Sequence, residues 1–201
     1  MRAIALATED ELSEVVGLRL AAEAGLSVSV PLRKNGNGYL RKNLKKFSGF
    51  AFHMPVLLLT DLDDVTCPPI LIDRWFGNQM RPPGLLLRIA VREIESWLLA
   101  DHEAMSSLLG PRAKQLPNFP DDLPNPKNTL LSLAQYAPPH IREDLLAQSG
   151  AITAQGLGYN ARLCAMVNRE WLPTRAAKRS PSLARTRMRL RALAATTIAK
   201  D

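Results

Sequence analysis

Cysteine is scarce in this chain, with Cys67 and Cys164 the only two in 201 residues. They lie far apart and have no ligand-like neighbours, which argues against a disulfide framework or a zinc knuckle. Both read as small hydrophobes, and the pattern fits a reducing, cytoplasmic setting. Histidine is nearly as rare. His53, His102 and His140 are scattered and fall in no nucleophile or metal spacing. No long apolar run is present, so neither a transmembrane span nor a signal peptide is expected, and residues 1–4 read as the start of a strand. A Walker-type loop is also missing, which ranks a nucleotide-binding switch last. Asn35-Gly36-Asn37-Gly38 is too short and symmetric for a phosphate-binding fingerprint.

Acids are missing from one end. Residues 161–201 hold ten Lys or Arg against Glu170 and Asp201, a net charge of +8, while the first 160 residues net −1. The asymmetry points to a polyanionic partner, nucleic acid first. With 46% hydrophobic and 22% charged residues, the chain has the composition of a soluble protein with ample core.

The organising stretch is Met54-Pro-Val-Leu-Leu-Leu-Thr-Asp-Leu-Asp-Asp64. Residues 56–60 form a continuous apolar, β-favouring run, as in a parallel strand buried on both faces. Asp61 and Asp63, two apart on an extended segment, are expected to share a face at the carboxyl end of a central strand. Open α/β sheets place their ligand crevice there. Two adjacent carboxylates repel unless a cation or proton lies between them, and Mg²⁺ suits such a site. The plainer reading is that the acids solubilise a strand end or cap a helix.

Other strand ends converge on the same rim. Residues 2–7 read as a strand, followed by a helix to Gly25 with Thr8 as N-cap and Glu11 completing a capping box. Glu9 at that junction offers a third carboxylate. Residues 26–30 read as a second strand and 85–91 as a fourth. The latter runs into a helix with Glu93 and Glu95 in its first turn and an apolar stripe of Ile94, Trp97, Leu98, Met105, Leu108 and Leu109. The expected fold is therefore α/β, a parallel sheet of about four strands flanked by helices over residues 1–110. Residues 111–201 form a Pro-rich crossing and a basic helical extension.

Cations fall in two groups. Arg33, Lys34, Lys42, Lys45 and Lys46 lie along a turn and a basic helix over 39–47, where no acid intervenes. Residues 173–178 read as a basic linker, then Ser180-Pro181 opens a helix with Leu183, Thr186, Leu190 and Leu193 on one face. Arg185 with Arg189, and Arg187 with Arg191, flank that face as i,i+4 pairs. They are candidates for phosphate binding; a solvated surface explains the first group equally simply and the individual arginines of the second more simply.

A strand-end Glu followed by Asp-x-Asp on a hydrophobic strand resembles the Toprim fold of topoisomerases, primases and overcoming-lysogenization-defect nucleases. Thr8-Glu-Asp-Glu-Leu-Ser-Glu14, Leu59-Thr-Asp-Leu-Asp-Asp64 and Arg92-Glu-Ile-Glu-Ser-Trp-Leu-Leu-Ala-Asp101 look like a bacterial family of Toprim-like proteins. Leu116-Pro, Asn125-Pro-Lys-Asn-Thr-Leu130 and Ser180-Pro-Ser-Leu-Ala-Arg185 carry the resemblance over nearly the whole chain. It implies a Rossmann-type sheet and a Mg²⁺-dependent (or Mn²⁺-dependent) nuclease. Asp61 and Asp63 would hold the metal, Glu9 would be ligand or proton-transfer group, and Glu95 would support the site. It further implies a phage-defence setting and an ATPase partner; a homodimer is a separate expectation. The usual Toprim Glu is followed by Gly, whereas Asp10 stands here. The rival expectation is a catalytically inactive module that binds nucleic acid or an ATPase.

Overall fold

The computed structural model describes residues 1–34, 38–110, 116–148 and 150–196. Asn35-Gly36-Asn37, the start of the Pro-rich crossing with Pro111, and Lys200 lie outside the described residues.

Four parallel strands form one sheet: β1 (Arg2–Thr8), β2 (Leu26–Arg33), β3 (Val56–Asp61) and β4 (Leu85–Ala90), in the order β2-β1-β3-β4. The interior strands are the most apolar, since both of their faces are covered: Ile4 to Ala7 and Val56 to Leu59 are all buried. On the edge strand β2 exposure alternates, and Pro31 is tolerated because an edge strand can lack one ladder donor. The β1–β2 register shifts between Ile4 and Ala5, which leaves Ser29 as an extra residue on β2.

Alternation along the strands divides the core. Ile4, Leu6, Leu57 and Leu59 face helix α1 (Glu11–Glu23) and the C-terminal helices. Ala5, Ala7, Val56, Leu58, Leu85, Leu87 and Ile89 face the opposite layer of α2 (Tyr39–Lys42), α3 (Leu44–Phe50) and α4 (Pro68–Phe76). Each buried Leu contributes roughly 1.5–3 kcal/mol of transfer free energy. The basic helix expected over 39–47 is thus two short helices broken at Asn43. Gly77, at φ 50°, ends α4 before residue 79.

After β4 the chain does not run straight into one long helix. Arg92 sits at φ 63°, so α5 starts at Glu95 and ends at Leu99, and α6 (His102–Leu109) restarts on the Asp101 cap. Pro120–Asp122 make one 3-10 turn. Then come α7 (Pro126–Ala134), capped by Asn125, α8 (Pro139–Leu145) and α9 (Tyr159–Arg169). The segment read as a basic linker contains α10 (Pro173–Ala176). Its Arg175 is held by fully buried Asp101, which accepts from Arg175 Nε and Nη2 at 2.8 and 2.9 Å and from the Leu172 amide at 2.8 Å. The last helix, α11 (Pro181–Ala195), is capped by Ser180. The Trp97 indole donates to Ser182 Oγ at 2.7 Å, and the Trp171 indole donates to the Trp97 carbonyl at 3.1 Å. Residues of both the sheet and these later helices belong to one buried cluster. Among the described residues no helix is long and apolar enough to cross a membrane.

Candidate functional site

The order β2-β1-β3-β4 sends the chain outward on one side of β1 and then back to the other. The switch point therefore lies between β1 and β3. Outside the carboxyl ends of these strands is a cleft of about 470 Å³. Six carboxylates line it (Glu9, Asp10, Asp61, Asp63, Asp64 and Glu93) together with one guanidinium, Arg92. Ser13, Thr60 and Asn125 add neutral polar groups.

Asp61 is the innermost acid. Its Oδ1 is sealed from solvent and, among the described residues, has no hydrogen-bond partner. Burial pushes its pKa well above the usual carboxylate range, and the charges of Glu95, Asp10, Asp63 and Glu93 push it further. Asp63 stands on the exposed lip. Its pKa is raised by desolvation and then by the Asp64 charge. The two aspartates do not share an extended segment as expected. The strand ends at Asp61, and Asp63 turns to φ 50°. Arg92 holds that turn: its carbonyl accepts from the Asp63 amide at 2.8 Å. Its Nη1 donates to the Asp63 and Val65 carbonyls at 3.1 and 3.0 Å. Two facing non-glycine residues at positive φ mark a rim whose conformation is fixed by its neighbours.

Glu9 is partly buried at the end of β1. Its Oε1 accepts from the Leu40 amide at 3.3 Å, which ties the first turn of α2 to the rim. Burial raises its pKa, and the Leu40 and Gly38 amides oppose that rise. The N-cap of α1 is Asp10 rather than Thr8. Asp10 accepts from the Ser13 amide at 2.8 Å and from Ser13 Oγ at 2.7 Å, while Thr8 is still in the strand and fully buried. The expected capping box fails because β1 runs one residue further than its apolar stretch, through Thr8.

Glu93 and Glu95 have parted. Glu93 lines the cleft and accepts from the Lys127 amide at 2.8 Å, so it anchors the first turn of α7 at the rim. Glu95 lies beneath the cleft, 5% exposed, and accepts from the Tyr159 hydroxyl at 2.8 Å. Burial raises its pKa and that hydrogen bond lowers it. Glu95 therefore acts on Asp61 through the field rather than by contact with the cleft.

The donor set is entirely hard oxygen, and one deep oxygen is orphaned, as a site for a small divalent cation requires. Among the described residues, however, no three Asp, Glu, His or Cys side chains stand at metal-ligating separation. Glu9, Asp61 and Asp63 share one cleft but do not close a cage. Asp61 and Asp63 are the two that could hold an ion such as Mg²⁺, which takes one or two protein carboxylates and keeps waters for the rest.

The cations are distributed unevenly. Arg33 is paired with Glu14 at 2.7 Å. Lys34, Lys42, Lys45 and Lys46 are exposed. Arg187 and Arg191 both clamp Glu23, at 2.5 and 2.7 Å, and so join α11 to α1 instead of facing solvent freely. Arg185 and Arg189 are exposed on the other flank.

Sequence reasoning missed Arg92, Ser13 and the position of Asn125. Arg92 could have been found as the first residue beyond β4, on the rim already assigned to Glu93. Asn125 is brought in by the long-range docking of α7, for which no local signal exists. Comparison of the chain with family models, with curated proteins and with solved structures finds no match.

Proposed function

We propose that the cleft is a Mg²⁺- or Mn²⁺-dependent phosphodiester-cleaving centre of Toprim type, acting on nucleic acid. The observation that carries this reading is Asp61, a carboxylate with a buried, unpartnered oxygen at the floor of an acidic cleft at the switch point. Burying a charge without a partner is costly, so the position makes sense as a ligand group. Asp61 and Asp63 would hold the ion, which when bound supplies charge neutralisation at the phosphate and a more acidic water.

Glu9 is the proton-transfer group. Its raised pKa brings protonated and ionised forms closer to neutrality, as general acid–base work requires. Arg92 fixes the Asp63 turn, and Glu95, held by Tyr159, raises the proton affinity of Asp61 from below. The absence of a ligating trio among the described residues, and the use of Asp10 as a helix cap, favour a second reading. In it the rim is structural, and the protein docks on nucleic acid or an ATPase without cleavage.

A cleavage assay on supercoiled and linear DNA and on RNA, with Mg²⁺ or Mn²⁺, separates the two. Asp61→Ala with Asp63→Ala is expected to lower cleavage by more than about 100-fold, since even outer-shell changes at metal sites cost about 10–100-fold. Cleavage that survives the double substitution, or a wild-type protein inert on every substrate with either ion, contradicts the proposal.

A further inference from the structure

The positive surface of α11 is divided. One flank, Arg187 and Arg191, is neutralised by Glu23. The other, Arg185 and Arg189, is exposed and one helical turn apart, about 6 Å along the axis. Helix α11 packs on β4, the edge strand of the sheet. Arg88 sits on β4 in register with Leu59 and, by alternation with Leu86 and Ala90, on the sheet face that α11 covers. An arginine is out of place there. Its Nε donates to the adjacent Leu87 carbonyl at 2.6 Å, and among the described residues no carboxylate pairs with it.

The charges that act on Arg88 are all positive: Arg189, Arg185 and Arg81. Arg81 stands over the Phe76 ring, with its guanidinium carbon 5.6 Å from the centroid. Among the described residues none of the four is ion-paired. Arg88 is thus partly buried among like charges, under a helix whose Arg185 and Arg189 are exposed, and an anion brought from outside would offset it. Guanidinium forks match phosphate oxygens in bidentate geometry.

We propose that Arg88, Arg185 and Arg189, with Arg81 at their edge, bind consecutive backbone phosphates of a nucleic acid and lead that strand to the acidic cleft. Position supports this. Asp61 pairs with Ala90, two residues beyond Arg88, so the patch begins about 7 Å down the edge strand from the rim. A polymer with one phosphodiester at the cleft would lay its neighbouring phosphates along that edge. The inference rests on the reading of the cleft as a phosphodiester-cleaving centre, but its test does not depend on cleavage.

Binding of a short fluorescein-labelled DNA duplex and its single strand is measured by anisotropy with the full chain in EDTA, over a range of salt. The Asp61→Asn, Asp63→Asn background is used so that catalysis plays no part. Arg88→Gln with Arg185→Gln and Arg189→Gln is expected to weaken binding about tenfold or more and to reduce the salt slope by about two to three, near 0.9 per lost phosphate contact on duplex. Arg185→Glu with Arg189→Glu alters only exposed positions and keeps the test independent of folding, which thermal melting checks. Unchanged affinity and slope in both variants overturn the proposal, as does loss of binding on Lys45→Gln with Lys46→Gln instead. Polyglutamate that displaces the duplex equally well per charge overturns it in favour of an acidic protein partner. A wild-type chain that binds the duplex through these arginines yet cleaves nothing with Mg²⁺ or Mn²⁺ would count against the cleft reading alone.

Discussion

At the level of single residues, the fold disfavours the charged form of Asp61. Its neutral form is favoured by burial and by four nearby acids, so its native pKa lies above its unfolded value. The stability this group supplies is full in acid, below the ordinary carboxylate range, and is lost as pH rises through the raised native value. Metal-free protein should therefore gain thermal stability on Asp61→Asn at neutral pH and gain almost nothing near pH 3. A differential scanning calorimetry series against pH checks this. Added Mg²⁺ should raise the melting temperature of the wild type but not of the variant. Glu9, Asp63 and Glu95 shift in the same direction and add to the same loss on going from acid to neutral pH.

Among the elements, the C-terminal helices are fastened by buried ion pairs as well as by apolar packing. Asp101 is fully buried and is satisfied by Arg175, the Leu172 amide and the amide of its own helix. Arg175→Ala leaves that carboxylate unpaired and should cost about 3–5 kcal/mol in urea unfolding, whereas a linker arginine would cost almost nothing. Little of this fastening was legible in the sequence. Residues 173–178 look like a linker because they contain Pro and cations, and nothing local reveals a buried acid seventy-four positions away. By contrast, β3 and the Ser180 cap were legible, because an apolar run and a Ser-Pro pair act within a few residues. The break between β4 and α5 was not, since positive φ at Arg92 is imposed by the opposing Asp63 turn.

For the whole molecule, the sheet order decides where the acids meet. Glu9 and Asp61 are fifty-two residues apart, and only the switch between β1 and β3 brings them to one cleft. The periodicity of the strands made the rim legible. The separate fates of Glu93 and Glu95, two residues apart, were hidden, because they depend on how α7 and α9 dock. Charge is also sorted at this scale: an acidic cleft at the strand ends, a clamp between α1 and α11, and an unpaired arginine surface along the sheet edge. The most direct test of the central claim is calorimetric titration of Mn²⁺ and Mg²⁺ into the wild-type chain and into Asp61→Asn, Asp63→Asn at neutral pH. Saturable binding with proton release is expected in the wild type and its loss in the variant; no saturable binding, or the same isotherm for both proteins, would overturn the reading of the cleft.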